Sequence, residues 1–356
     1  MSPGGRDAPG RSRDGELEAR VAGMLLGAAC GDLVGMPAAG LTAEEVRARY
    51  GRIDGPVAPA GDSLHAGLAA GEVTDDTELL IAVGEAICAA VEERGSFEAG
   101  DVARAIVGWA RDRLDDPRIG PSTARAVRRL LAGAPPEEAG RDGDTDGAAA
   151  RIAPVAALHA GEPGAIDDDV VRACLPTHGT DLAIAAAGAV AAAEAARLGG
   201  ATIEVAVDEA RRAAERLAGR GRPVPGPSVA ARIALAVRLA EGAADADRAA
   251  RVCAEVLTEA RRGRHHVATG WRLASRQNPP WRWVPGLAAC LTLNKADVIH
   301  RRRMASRRSG LPGDRSAGAP AQEQPCSAPG SVISTTRSVR ALEQATYICL
   351  VNSSSA

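Results

Sequence analysis

Four consecutive oxygen-bearing side chains stand at Thr74-Asp75-Asp76-Thr77, just ahead of an apolar run. Adjacent carboxylates repel each other unless a cation or a proton lies between them. Hydroxyl and carboxylate oxygens are the donors that Mg²⁺, Ca²⁺ and Mn²⁺ prefer. Thr74, Asp75 and Asp76 are therefore candidate ligands of a divalent ion. The plainer reading is a helix start. Leu79, Leu80, Val83, Ile87 and Val91 recur at helical spacing over roughly 74–93, and first-turn acids complement the helix dipole. A single Thr-Asp pair would satisfy a cap, so the four-residue run exceeds that need.

The elements that must position this run are helical throughout. A helix over Glu16 to Cys30 enters Gly31-Asp32-Leu33-Val34-Gly35-Met36-Pro37, where Asp32 is expected in a tight, glycine-flanked turn. Helices then follow at roughly 42–49, 74–93, 98–113, 121–132, 146–159, 167–174, 181–198, 203–218, 228–241 and 245–262, with Gly and Pro as punctuation. No alternating strand pattern stands out. The fold class is all-α, a compact multi-helix bundle.

Composition bounds the rest. The 356 residues are 46% hydrophobic but only 2% aromatic, and alanine is abundant, so close-packed helices with small side chains are expected. Residues 1–15 read as a disordered N-terminus without the apolar segment of a signal peptide, and residues 16–262 as the helical domain. The run Leu182 to Ala193 is too short to span a bilayer, so no membrane is expected. Seven dispersed cysteines without a Cys-x-x-Cys pair fit a reducing, cytoplasmic compartment. Residues 263–356 carry a net charge of +9 against −11 for the remainder, and the acidic body gives no reason to expect nucleic acid as a partner. Helical periodicity fades after Arg262, and Trp, Arg and Ser rise abruptly. This segment reads either as a disordered basic tail or as the product of a wrong reading frame.

Three stretches, in order, resemble the ADP-ribosylglycohydrolase family, which includes the dinitrogenase-reductase-activating glycohydrolase and the ADP-ribosylarginine hydrolases. They are Gly23 to Pro37 with its Gly31-Asp32 pair, Gly71 to Leu80 with its Thr-Asp-Asp-Thr run, and Asp146 to Pro154 with its Gly147-x-x-x-Arg151-x-x-Pro154 helix start. Thr177-His178-Gly179-Thr180 is similar to the family's Thr-His element. The resemblance covers about residues 16–260. It implies an all-α bundle around two Mg²⁺ ions, or Mn²⁺ in some members, that hydrolyses the bond between ADP-ribose and a protein side chain. By that likeness Thr74, Asp75 and Asp76 hold metal, and Asp32 and Asp76 are the catalytic carboxylates. Gly147, Ala148 and Arg151 lie by the ligand, and His178 sits at the rim of the substrate cleft. The ligand is then ADP-ribose or an ADP-ribosylated protein. The plainer readings remain open: a turn aspartate, helix capping followed by an exposed arginine, and a capping histidine.

The sequence departs from the family pattern in two places. The family's second metal motif, Gly-Gly-Asp-Thr-Asp-Thr, has no counterpart after residue 200, and Gly143-Asp144-Thr145-Asp146 precedes the Arg151 element and reads as a loop variant. A glutamate found in several members shortly after the Gly-Asp turn is replaced by Ala39, with Glu44 and Glu45 off register. These departures predict impaired hydrolysis. One rival is an ADP-ribose-binding protein without turnover. Another, an isoprenoid-type enzyme, is disfavoured by the low aromatic content and by Asp-Asp-Thr-Glu in place of Asp-Asp-x-x-Asp.

Overall fold

The computed structural model describes residues 13–241, apart from 40, 42, 52, 54 and 117. The helix expected over 245–262 and the basic segment 263–356 with its reading-frame question lie outside the described residues, as do residues 1–12. Twelve α-helices follow one another among the described residues: α1 (Arg13–Gly35), α2 (Ala43–Tyr50), α3 (Asp75–Arg94), α4 (Ala99–Ala110), α5 (Pro121–Leu131), α6 (Pro136–Ala139), α7 (Gly147–Ala150), α8 (Ala153–Leu158), α9 (Asp167–Cys174), α10 (Asp181–Leu198), α11 (Ile203–Arg216) and α12 (Val229–Glu241). There is no strand among them, only one isolated bridge between Thr180 and Arg222.

The centre of the bundle is α10. All of its residues except Asp181, Ala186 and Arg197 are buried, and α1, α7, α8, α9, α11 and α12 pack around it. Alanine makes this enclosure feasible, because a helix of small side chains lets its neighbours approach from several directions. Gly188 marks the tightest approach, where an added Cβ would stand 2.0 Å from Leu217 Cδ1. The apolar stripe of α3 (Leu79, Leu80, Val83, Ile87) joins the same core, as do Val21, Met24 and Ala28 of α1. The stretch Gly15–Ala38 is the one described segment long and apolar enough to cross a membrane, and here its inner side packs into this core.

Three local outcomes differ from the periodicity. The first helix runs on to Gly35, so Asp32 lies in a helix and not in a turn. The helix expected over 146–159 is broken at Arg151-Ile152 into α7 and α8, because Pro154 lacks an N–H and can only open a new helix. A single turn, α6, forms directly after Pro135. The start and stop of α3 follow the local chemistry. Thr74 is extended and its hydroxyl caps Asp76 N–H, while Gly95 closes the helix at φ +76°.

Glu194 is an anomaly in α10. It is fully buried, and neither carboxylate oxygen has a hydrogen-bond partner. Burial pushes its pKa up to about 8 from 4.5. The folded state therefore binds one more proton than the unfolded chain between those values, and Glu194 costs stability increasingly as pH rises from about 4.5 to about 8. The Glu194→Gln variant is expected to match the parent at pH 5 and to exceed it by about 3 kcal/mol at pH 8. Urea unfolding at the two pH values measures this. A difference that stays constant with pH would show that Glu194 does not titrate in this way.

Candidate functional site

Asp32 is buried, and its carboxylate is saturated by the start of α3. Oδ2 accepts from Thr74 N–H at 2.8 Å, from Thr77 Oγ1 at 2.6 Å and from Thr77 N–H at 3.3 Å, while Oδ1 accepts from Thr74 Oγ1 at 2.8 Å. This carboxylate is an N-terminal cap for α3 supplied by another helix. It also orients Thr74. The hydroxyl proton points at Asp32, one lone pair accepts from Asp76 N–H at 3.3 Å, and one lone pair remains.

Asp75 and Asp76 follow on the half-buried side of the same turn. Burial, and then the charge of Asp32, push the Asp75 carboxyl up to about 6, although it accepts a hydrogen bond from Gly120 N–H. Asp76 is raised well above the usual carboxylate range by burial, and further by Asp75, Asp32 and Asp146, with Arg151 opposing. Four carboxylates from three segments thus act on one place. Asp146 arrives on the loop 140–147, whose Gly143-Asp144-Thr145-Asp146 run reads in the sequence as a loop variant. That loop is fixed by backbone contact. Gly179 N–H bonds Gly140 O at 2.8 Å, Thr180 Oγ1 bonds Gly143 O at 2.8 Å, and a Cβ on Gly143 would stand 1.9 Å from Thr177 O.

Beneath the loop lies a polar floor. Arg151 is 2% exposed; Nη1 donates to Gly147 O at 2.7 Å and Nη2 to Thr177 Oγ1 at 2.6 Å. Burial lowers its pKa to about 10, so it keeps its charge at neutral pH. Thr177 Oγ1 spends its proton on His178 Nδ1 at 2.7 Å, which leaves Nε2–H of His178 to face Thr145 Oγ1 at 2.9 Å. Burial, and the charge of Arg151, hold His178 well below the usual histidine range, hence neutral. His178 was expected at the rim of a cleft. It is instead 1% exposed, and its ring fills the space a Cβ on Gly147 would need, 2.9 Å from Cε1. Gly147 opens α7, and Ala148 is buried behind it. The arginine is not exposed either; it supports the loop from below.

Thr74, Asp75, Asp76 and Asp32 are therefore brought together at the start of α3. Gly147, Ala148, Arg151 and His178 form the adjoining loop and its support. Among the described residues no three carboxylate, imidazole or thiolate side chains converge to ligating distance of one point. Asp32 accounts for part of this, since both its oxygens are turned into hydrogen bonds. The donor chemistry fits one side of a hard-ion site, formed by the remaining lone pair of Thr74 and the carboxylates of Asp75 and Asp76. Their mutual repulsion is charge that a cation would offset. One further residue, not singled out by spacing, also feels this charge: His65, on the loop before α3.

A sequence model of the ADP-ribosylglycohydrolase family matches residues 13–285. The chain belongs to the ADP-ribosylglycohydrolase family. An uncharacterised Escherichia coli K12 protein, YegU, is 30% identical over 228 residues, which is 63% of this chain and 67% of that one. An uncharacterised Archaeoglobus fulgidus protein is 34% identical over 178 residues, 50% of this chain and 55% of the relative. The ADP-ribosyl-[dinitrogen reductase] glycohydrolase of Rhodospirillum rubrum is 29% identical over 171 residues, 47% of this chain and 54% of the enzyme. The chain thus spans about two-thirds of the first relative and just over half of the other two. A solved structure titled an ADP-ribosylglycohydrolase-related protein complex shares the helical fold, with a TM-score of 0.50 and 22% identity over 78% of this chain and 87% of that chain. The family match runs past Arg262, where the composition changes.

The cap role of Asp32 predicts that Thr77→Val, which keeps the shape of the side chain and removes one hydroxyl bonded to a buried carboxylate, destabilises the fold by about 1.5–3 kcal/mol. Thermal unfolding measures it. An unchanged midpoint would mean that the Thr77–Asp32 bond contributes nothing to holding α3.

Proposed function

We propose that the chain is a divalent-cation-dependent hydrolase of ADP-ribosyl linkages, acting on the N- or O-glycosidic bond between ADP-ribose and a protein side chain. The observation that carries this reading is the start of α3. There Asp32 fixes Thr74 and leaves Asp75 and Asp76 as half-buried carboxylates with raised pKa values, beside the loop that ends at Gly147. Family membership and the name of the Rhodospirillum rubrum relative support the substrate class.

In this reading Thr74, Asp75 and Asp76 would hold Mg²⁺, with two ions expected by family likeness and Mn²⁺ as the alternative. When bound, the ion supplies Lewis acidity at the ribose and lowers the pKa of a water. The chain's own residues do the positioning. Asp32 accepts the Thr74 proton and so aims its free lone pair outward. Arg151 holds the Gly147 carbonyl from below, which sets the backbone at the start of α7 against the ligand. His178 stays neutral and braces Thr145 on the opposite side of the loop.

The sequence contains no Gly-Gly-Asp-Thr-Asp-Thr run after residue 200. With ligands from one side only, ions bind weakly and turnover is slow. No observation favours the rival reading, a scaffold that binds ADP-ribose without turnover.

The purified chain, given Mg²⁺ and protein ADP-ribosylated on arginine or on serine, is expected to release ADP-ribose slowly. Asp76→Asn should lower that release at least about a hundredfold, the order of effect seen when one electrostatic group is removed from a catalytic centre. Release at the rate of intact family enzymes would refute the impairment. Calorimetric binding of ADP-ribose with no release under any metal would replace the hydrolase with the binding protein.

A further inference from the structure

The loop 140–147 has an outer face as well as the inner one that Arg151 and His178 support. On that outer face three arginines close on the carboxylate of Asp142. Arg129 of α5 bonds Oδ2 through Nη2, Arg222 Nη2 lies 3.2 Å from Oδ1, and Arg141 Nε lies 3.8 Å from Oδ2. Two of the three also hold the backbone. Arg129 Nη1 donates to Ala139 O at 3.1 Å, and Arg222 Nε donates to Arg141 O at 2.7 Å. Arg222 is itself fixed against the start of α10, its N–H on Gly179 O at 2.9 Å and its carbonyl accepting from Asp181 N–H at 3.0 Å. With Gly179 N–H on Gly140 O and Thr180 Oγ1 on Gly143 O, the carbonyls of Ala139, Gly140, Arg141 and Gly143 are all held from outside the loop.

This stem carries the tip of the loop to the acidic site. Thr145 Oγ1 stands 3.4 Å from Ser122 Oγ, two residues after the Gly120 whose N–H bonds the Asp75 carboxylate. Gly147 opens α7, which packs against α3. Three glycines in eight residues, at 140, 143 and 147, give the loop much conformational freedom to lose. Its order must therefore come from contacts with other segments. The Asp142 cluster is a weak source of overall stability. Asp142 and its three partners are each a third or more open to solvent, and exposed ion pairs add little one at a time. What the cluster does fix is the position of the stem.

We propose that Asp142 is a positioning residue for ligand binding, the hub through which Arg129 and Arg222 set the stem of the loop so that Thr145 to Gly147 stand in place before the ligand arrives. This rests on the reading that the site takes ADP-ribose. Asp142 acts through the arginines and touches no ligand. The hydrogen bond from Arg129 leads in holding its carboxyl below the ordinary range, so the hub is charged at neutral pH. Without that charge three guanidiniums face one another with no anion between them, and the two that hold Ala139 O and Arg141 O are pushed apart. A tip that is in place in only a fraction of the molecules lowers the apparent affinity by that fraction. The core around α10 does not depend on the cluster.

Two measurements on the full chain test this: hydrogen exchange without ligand, and calorimetry with Mg²⁺ alone and with ADP-ribose at saturating Mg²⁺. The parent is compared with Asp142→Asn, Asp142→Glu, Arg222→Ala and the double variant Asp142→Asn/Arg222→Ala. In Asp142→Asn the amides of Gly143 and Gly179, both bonded to Gly140 O, should exchange at least about tenfold faster, with those of α10 unchanged. ADP-ribose binding should weaken about tenfold, the effect of a tip in place in about one molecule in ten. Asp142→Glu keeps the charge and should return to within about threefold of the parent. The double variant should bind within about twofold of the weaker single variant, because both changes act through one cluster. Mg²⁺ affinity and the melting temperature should match the parent throughout. Equal ADP-ribose affinity, or equal exchange at the two amides, in the parent and Asp142→Asn would overturn the proposal. So would a loss that Glu does not restore, losses that add in the double variant, or a loss that comes with a lower melting temperature. A parent chain that binds no ADP-ribose would remove the substrate reading and the ligand role of Asp142 with it. Hydrogen exchange tells that outcome apart, since it reads the hold on the loop with no ligand present.

Discussion

One carboxylate links the opening helix to the third. Asp32 gathers four hydrogen bonds from Thr74 and Thr77, residues 42 and 45 positions further along the chain. The first turn of a helix leaves backbone donors unsatisfied, and an anion there is favoured by the dipole as well. Here the anion comes from a different helix, so the cap also acts as a tertiary clamp. It brings α1 and α3 together at one end, while their apolar stripes meet in the core. The consequence for the site is geometric. With Thr74 and Thr77 turned toward Asp32, the two residues between them, Asp75 and Asp76, must project the other way, into the half-buried space bounded by Gly120 and the loop 140–147.

The opposite wall is built without side-chain bulk. Glycines at 140, 143 and 147 let that loop lie against Leu175 to His178 at distances no Cβ would permit. Beneath it, Arg151, Thr177, His178 and Thr145 form a chain of bonds in which each donor finds an acceptor, except Arg151 Nε. A buried network of this kind is rigid while its members are satisfied. Arg151 carries a positive charge that acts on Asp76, so it offsets part of the repulsion there and does not cancel it.

Much of this architecture is legible in the chain itself, because helical periodicity is a local signal. The long helices α3, α10 and α11 begin and end close to where caps and glycines place them. The runs around Asp32, Thr74 and Arg151 mark the site, and the structure gathers them at one end of α3. What eluded local reading depends on distant partners. Asp32 looks like a turn residue because glycines flank it, and only Thr74 and Thr77 explain why it stays helical. A single helix over 146–159 follows from periodicity but not from Pro154. Arg151 and His178 look like surface residues, since the neighbours that bury them are 22 to 33 positions away. His65 carries no sequence signal at all. It stands between Leu64 and Ala66 in a loop of mixed composition, and its burial accompanies turns that this composition does not specify.

The pair Asp75-Asp76 remains to be explained by something other than helix capping. Most of the cap comes from other groups. Thr74 caps Asp76 N–H, Asp32 takes the N–H groups of Thr74 and Thr77, and the Asp75 carboxylate meets its own N–H. A carboxylate that stabilised the helix start would have its pKa lowered by the helix dipole and the backbone amides. Asp75 receives such a bond from Gly120 and is still raised to about 6, with burial the largest cause and the neighbouring charge of Asp32 next. A carboxyl group whose pKa rises on folding opposes folding once the pH exceeds its unfolded value. Both aspartates are thus held at a net cost to the fold despite their place in the first turn. A hard cation placed between them would turn their repulsion into attraction.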